Sequence, residues 1–262
     1  MKSARDTATY LYCLVAAERR PSLTGAPRGL SGTGPLRALD AGEGLWLIVA
    51  DAPLTVYGSA PIEKHLRDLE WVALRGAAHA RMIEYFARRT TTLPMKLFTL
   101  FTSDERALAH VRGDAARVRR VLERVTGRAE WGVRVRLDAA LVRKRAAARP
   151  APSADGGSAG TKFLLAKKQA RDVAQEVLRE GRAAVEEAYE SLATLADATR
   201  RRPAGELEGT RVVLDAALLV PSGRLTSFKR LVRRAATGLA SRGYRLSLTG
   251  PWPAYNFVGD AR

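Results

Sequence analysis

The stretch Thr92–Glu105, TLPMKLFTLFTSDE, decides how the chain is divided. Pro94 disfavours helix at Leu93 and removes one backbone donor. Leu97, Phe98, Leu100 and Phe101 make a short apolar run. Its length and its aromatic and threonine content predict a buried strand. Thr102 and Glu105 have the T-x-x-E spacing of a capping box, so a helix is expected to start there. A strand followed by a helix opens a second domain on this reading. The residues before Thr92 form a first one.

Toward the C-terminus, Asp104–Val125 places Leu108, Val111, Ala115, Val118, Leu122 and Val125 on one helical face, with Gly127 as its cap. From Glu130 to Asp138, Trp131, Val133, Val135 and Leu137 alternate with Gly132, Arg134, Arg136 and Asp138, the pattern of a half-exposed strand. Residues 139–148 read as a basic helix and Pro150–Gly160 as a linker. Thr161–Arg201 reads as one or two long helices with a break at Gly181, and Pro203–Gly209 as loop. Val212–Val220 is almost continuously apolar. Ser222 can cap a helix carrying Leu225, Phe228, Leu231, Val232, Ala235 and Leu239, which Gly243 ends. Tyr244, Leu246 and Leu248 then alternate with polar residues as a last strand.

Counted from Leu97, the order is strand, helix, strand, helical insertion, strand, helix, strand. That is the split βαβ of ferredoxin-like folds. Its first and third strands are central and its second and fourth are edges. The two continuous apolar runs suit the centre, and the two alternating, arginine-bearing strands suit the edges.

Toward the N-terminus, Thr9–Ala16, Leu36–Asp40 and Leu45–Ala50 read as strands, with a Gly- and Pro-rich loop from Gly25 to Pro35. Ile62–Arg89 has helical spacing and is expected to break near Gly76, Leu66, Leu69 and Val72 lying before the break and Ala78, Met82 and Phe86 after it. The fold class is therefore α+β in two domains. Residues 1–90 form a strand-rich α+β domain. Residues 91–250 form a ferredoxin-like βαββαβ domain with helices inserted at about 139–208. Residues 251–262 form an aromatic C-terminal tail.

Hydrophobic residues make up 46% of the 262, a globular composition, and no apolar run reaches the length of a membrane span. The single cysteine, Cys13, sits among apolar residues and reads as an inert core thiol. The N-terminus has no signal-peptide pattern, so a cytoplasmic protein is expected. His65, His79 and His110 fall on separate helices without ligand spacing, so no metal is expected. Gly156–Lys162, GGSAGTK, lacks both the ending of a phosphate loop and a strand before it. No nucleophile stands beside a base, so no catalytic residue, cofactor or enzymatic activity is expected.

The formal net charge of +17 admits nucleic acid, an acidic protein or an anionic surface as partner. Arginine is spread over most segments, so solvated helix faces explain much of it. Arg134, Arg136 and Arg245 lie on the alternating strands without an aromatic stacking pair, and the RNP1 pattern is absent. DNA or RNA binding is kept as the second reading.

Several segments together resemble the GvpF/GvpL family of gas vesicle proteins. TYLYCLV, Thr9–Val15, is similar to the family's opening strand. Leu93-Pro94-Met95-Lys96-Leu97-Phe98 resembles its L-P-M-R-F-G segment, with Lys96 for Arg, Leu97 for Phe and Phe98 for Gly. Glu130–Val135, EWGVRV, resembles E-W-x-V-K-V. Gly160, Phe163, Leu164 and Lys167 resemble G-x-x-Y-L-x-x-R. Leu248–Val258, LTGPWPAYNFV, resembles the ending L-T-G-P-W-P-P-Y-S-F-V. The resemblance implies a non-enzymatic assembly factor or minor component of gas vesicles. Its implied partners are the major shell protein and other gas vesicle accessory proteins.

The candidate structural or partner-binding residues are Pro94, Met95, Lys96, Glu130, Trp131, Phe163, Arg230, Arg233, Arg234, Pro251, Trp252, Pro253, Tyr255 and Phe257. Arg230, Arg233, Arg234 and Arg242 lie off the apolar stripe of their helix and are expected in solvent. Pro251 and Pro253 cannot donate to a sheet, so the last strand is expected to stop near Thr249. The apolar load of the tail predicts that Trp252 is substantially buried.

Overall fold

The computed structural model of the protein describes residues 6–149, 159–207 and 210–259. The contacts divide the chain into two compact units, Met1–Arg128 with Trp252–Arg262, and Ala129–Pro251.

In the first unit, β1 (Thr7–Ala16), β2 (Leu36–Gly42) and β3 (Leu45–Pro53) form an antiparallel sheet. The helices α1 (Leu54–Tyr57), α2 (Ser59–His65) and α3 (Leu69–Ala87) follow. The break between α2 and α3 falls at Asp68, not Gly76. The Asp68 carboxylate accepts the Trp71 N–H at 3.0 Å and caps α3, a stronger local signal than a mid-helix glycine. Ala78, Met82 and Phe86 line the buried face as their spacing predicts, whereas Leu66 and Leu69 are exposed.

The deciding stretch does not open a second domain. It splits into β4 (Thr92–Pro94) and β5 (Leu100–Phe101), and both pair antiparallel with β1. The sheet runs β2-β3-β1-β4, with β5 further along the same edge of β1. The five residues 95–99 loop out opposite Leu11 and Tyr12. The apolar run 97–101 is therefore a turn and a two-residue strand.

The helical stretch that follows also belongs here, as α4 (Asp104–Gly113) and α5 (Ala115–Val125). Ser103, one residue after the expected cap, accepts the Arg106 N–H. Successive residues of β1 point to opposite faces. The Tyr10 side chain meets α3, while the Thr9 hydroxyl donates to Asp104 of α4 at 2.7 Å. Arg37 of β2 pairs with Asp104 and with Asp51 of β3, which ties α4 to this sheet. Burial raises the Asp104 pKa, but the hydrogen bonds from Arg37 and Thr9 outweigh it and hold the carboxyl below its usual range.

The second unit contains β6 (Arg128–Leu137), α6 (Ala139–Ala147), α7 (Ala159–Ala193), β7 (Ala198–Arg201), β8 (Glu206–Leu207), β9 (Thr210–Pro221), a 3-10 turn Ser222–Arg224, α8 (Leu225–Ala240) and β10 (Tyr244–Trp252). Its strand order is β10-β6-β9-β7, with β8 beside β9. Trp131, Val133 and Val135 of β6 join Leu214, Ala216, Leu218 and Val220 of β9 in one core. Val177, Val185, Tyr189 and Leu192 of α7 and Phe228, Val232 and Leu239 of α8 complete it.

Here β6 is central, where its alternation predicted an edge. A central strand can carry Arg134 because Asp215 on β9 faces it. Arg134 donates to Asp215 at 3.1 and 2.8 Å, and Arg202 holds the other carboxylate oxygen at 3.0 Å from its Nε. The edge beyond β9 is β7, ATRR, a short polar strand at the end of the stretch read as helix. The β10 strand is at the edge, as expected. It runs on to Trp252, past the expected stop at Thr249. Gly181 does not break α7, which is one 35-residue helix. The linker read at Pro150–Gly160 lies outside the described residues except for its last two, which begin α7.

Candidate functional site

In the first unit a hydrogen-bonded relay holds the 95–99 loop. His79 lies on the buried face of α3 at 5% exposure. Its Nε2 sits 3.0 Å from the Met95 carbonyl, which can only accept, so Nε2 carries the proton. Nδ1 is then the acceptor for the Tyr10 hydroxyl at 2.7 Å. The Tyr10 oxygen in turn accepts the Phe98 N–H at 3.2 Å. The relay thus grips the loop at Met95 and at Phe98 and leaves Lys96 exposed between them. Phe98 has φ of 63°, in the left-handed region that disfavours a side chain. Its ring lies 5.5 Å from that of Trp71 and 6.5 Å from that of Tyr57.

Burial holds the His79 imidazole below its ordinary pKa, against an opposing pull from the Met95 carbonyl. Burial pushes the Tyr10 hydroxyl and the Cys13 thiol far up. All three groups are neutral, and none has access to a substrate. Sequence reasoning gave His79 no ligand role, and its part in holding the loop follows only from the fold.

Beside the relay is a cleft of about 950 Å³ between the loop 27–36 and α3. Arg28, Arg75 and Arg81 line it, and no acidic residue does. Two tyrosines pin the loop: Tyr12 accepts the Leu30 N–H at 2.9 Å, and Tyr57 donates to Ser31 O at 2.6 Å. A Cβ on Gly29 would stand 2.5 Å from the Tyr12 oxygen, so only glycine allows this approach. The Arg75 guanidinium lies 3.9 Å from the centre of the Trp71 ring, and its Nη1 donates to Trp71 O at 3.3 Å. The three arginines make the cleft suited to anions. The sequence signal for it was the glycine-rich loop, read only as a turn region.

The expected site residues divide by burial. Pro94, Glu130, Trp131, Pro253 and Phe257 are buried, and Met95 is half-buried. Lys96, Phe163, Arg230, Arg233, Arg234, Pro251, Trp252 and Tyr255 are exposed. Trp252 is 40% exposed, against the expectation of burial; Phe257, at 3%, is the aromatic that anchors the tail. The tail turns after Pro253, which brings Ala254 and Phe257 inward instead. Arg242 is exposed, as expected. Among the described residues no group of three potential metal ligands comes together, and no helix is long and apolar enough to cross a membrane.

The profile of the family described as Gas vesicle synthesis protein GvpL/GvpF matches residues 8–259. The chain is 31% identical to Gas vesicle protein L of Streptomyces sp. (strain CB03234), over 98% of this chain and 94% of that one. Its fold is similar to the crystal structure of the gas vesicle protein GvpF from Anabaena sp. PCC7120, with a TM-score of 0.68 at 16% identity over 96% of each chain. It is also similar to GvpF from Microcystis aeruginosa, with a TM-score of 0.64 at 14% identity over 96% of this chain and 98% of that one. The opening strand, the relay-held loop and the folded-in tail all lie within the matched span, and the chain belongs to the GvpL/GvpF family of gas vesicle synthesis proteins.

Proposed function

We propose that this chain is a non-enzymatic assembly factor or minor component that binds the major shell protein while gas vesicles form in the cytoplasm. The observation that carries this is the family match from residue 8 to 259. The neutral, buried His79, Tyr10 and Cys13 support a structural role for the groups that chemistry would otherwise use. A shell protein with an apolar face aggregates before it is incorporated, and an accessory protein that covers this face prevents it. Of the candidate contact residues, Lys96, Arg230, Arg233, Arg234, Trp252 and Tyr255 are exposed. The pairing of Arg134 with Asp215 weakens the nucleic-acid reading, since it removes a cation from the sheet face.

We also infer that the second unit is the ferredoxin-like domain. Its first strand is then Arg128–Leu137 in place of Leu97–Phe101, and its domain boundary lies at 128/129. The order β10-β6-β9-β7 supports this, because the first and third strands become central.

The test is light scattering of freshly diluted shell protein with and without an equimolar amount of this chain. The expected result is suppressed aggregation and a complex that survives nuclease. Unchanged scattering with no complex would sink the proposal.

A further inference from the structure

The cleft between the loop 27–36 and α3 gathers positive charge that no lining residue balances. Arg75 and Arg81 lie on α3 at about 60° to either side of Ala78, given 3.6 residues per turn, so two arginines flank a floor made by a small, buried side chain. Arg28 lines the cleft from the loop. Among the described residues neither Arg28 nor Arg81 takes part in an ion pair. Arg75 donates from Nη1 to the Trp71 carbonyl, and its Nε is buried with no partner. A cation already drawn out of water, without a counter-charge, gains more from an anion than a solvated one does. Two nearby carboxylates are engaged elsewhere. Glu84, three residues on from Arg81, pairs with Arg88 at 3.1 Å. Asp51, whose carbonyl accepts the Gly34 N–H at 2.8 Å, pairs with Arg37.

Both walls are fixed before a ligand arrives. Besides the two tyrosine hydrogen bonds to the loop, the turn Leu30–Thr33 is closed by the Thr33 N–H to Leu30 O at 3.1 Å, with Gly32 at a φ of 83°. On the helix side, Arg75 is held 3.9 Å from the centre of the Trp71 ring. A site assembled in advance binds with little ordering cost. At about 950 Å³ the cleft has the size of a small-molecule site. Three cations without a carboxylate suit a ligand carrying two or more negative charges, as a phosphate or diphosphate does. Pro27 and Leu74 add an apolar wall, and Leu74 is 61% exposed.

We propose that this cleft binds a phosphorylated small molecule, with its phosphate held by Arg28, Arg75 and Arg81 and its organic part against Pro27 and Leu74. The site is separate from any contact with the shell protein, and the inference does not depend on that contact.

The test is isothermal titration calorimetry of the full chain with ADP, pyrophosphate and adenosine as probes. ADP and pyrophosphate are expected to bind, ADP more tightly, and both more weakly as salt rises. Adenosine is expected not to bind. In R28Q/R81Q the Kd for ADP is expected to rise at least about tenfold, since two charge-assisted hydrogen-bonding groups are lost. The melting temperature without ligand should not change, because both arginines are exposed. R233Q/R234Q removes the same charge from exposed positions on α8 and is expected to leave the Kd unchanged. Absent binding of both phosphates, or adenosine binding as tightly as ADP, would overturn the proposal. So would an equal loss in R233Q/R234Q, which would reduce the attraction to net charge. Vesicles containing phosphatidylinositol 4-phosphate, or a hexaglutamate peptide, that bind through Arg28 and Arg81 while ADP and pyrophosphate do not would also overturn it, and would make the cleft a lipid or protein contact.

Discussion

Gly181 in the middle of α7 lies directly against the ring of Tyr244: a Cβ on Gly181 would stand 2.2 Å from Tyr244 Cε2. The Tyr244 hydroxyl donates to Leu178 O at 3.3 Å, so the ring lies across the helix backbone and uses the missing side chain as its seat. A mid-helix glycine costs roughly 1 kcal/mol in propensity. Here that cost permits the helix and the edge strand to meet.

The first prediction follows from this contact. Gly181→Ala adds helix propensity but forces the ring or the helix to move, and overpacking typically costs about 1–3 kcal/mol. The expected net effect is a lower melting temperature. Gly181→Ala with Tyr244→Leu should recover part of the loss, since the pair is coupled through one contact. A thermal melt in which Gly181→Ala is stabilising would refute the seating role.

Phe98 supplies a second prediction. Its left-handed backbone costs a residue with a side chain roughly 1–2 kcal/mol, and glycine avoids that cost. Both Phe98→Ala and Phe98→Gly lose the ring contacts with Trp71 and Tyr57, but only glycine relieves the backbone. Phe98→Gly should therefore be more stable than Phe98→Ala by about 1 kcal/mol, the reverse of their usual order. Urea unfolding of both variants decides it, and an Ala variant as stable as the Gly variant would disprove the strain.

The relay makes stability depend on pH. Burial holds His79 below its ordinary value of 6.5 in the fold, so the unfolded chain takes up a proton first as pH falls. The stability from neutral His79 is complete above about pH 6.5 and is lost as pH falls from there toward the depressed folded pKa. Between pH 7 and 5.5, one such group lowers the unfolding free energy by at most about 1.4 kcal/mol per pH unit. His79→Gln should flatten that slope. Tyr10 and Tyr12, which face the imidazole, stay neutral and do not titrate in this window. An unaltered slope in the variant would remove His79 from the account.

The tail gives a paired comparison. Phe257 is 3% exposed and Trp252 is 40% exposed. Truncating a buried Phe costs about 3–5 kcal/mol. Phe257→Ala should therefore lower the melting temperature by more than twice as much as Trp252→Ala. An equal or larger loss from Trp252→Ala would show that the indole carries the anchoring.

Local pattern alone determined much of this protein. The strand Thr9–Ala16, the strand pattern from Glu130, the end of the last helix before Gly243, the buried stripe Phe228–Val232–Leu239 and the motifs of the family were all legible in the sequence, because each depends on spacing within one element. Pairing was not legible. The apolar run Leu97–Phe101 resembled a central strand of its own domain, but only the fold shows it broken around Phe98 and laid along β1, since strand partners are chosen by long-range contacts. Arg134 argued for an edge strand until Asp215 was found opposite it, because a cross-strand partner is invisible in either strand alone. ATRR carries no apolar signal and becomes β7 only because β9 offers it a backbone ladder. Gly181 looked like a helix break, and the tertiary structure made it a contact, because Tyr244 needed the volume that a side chain would have occupied.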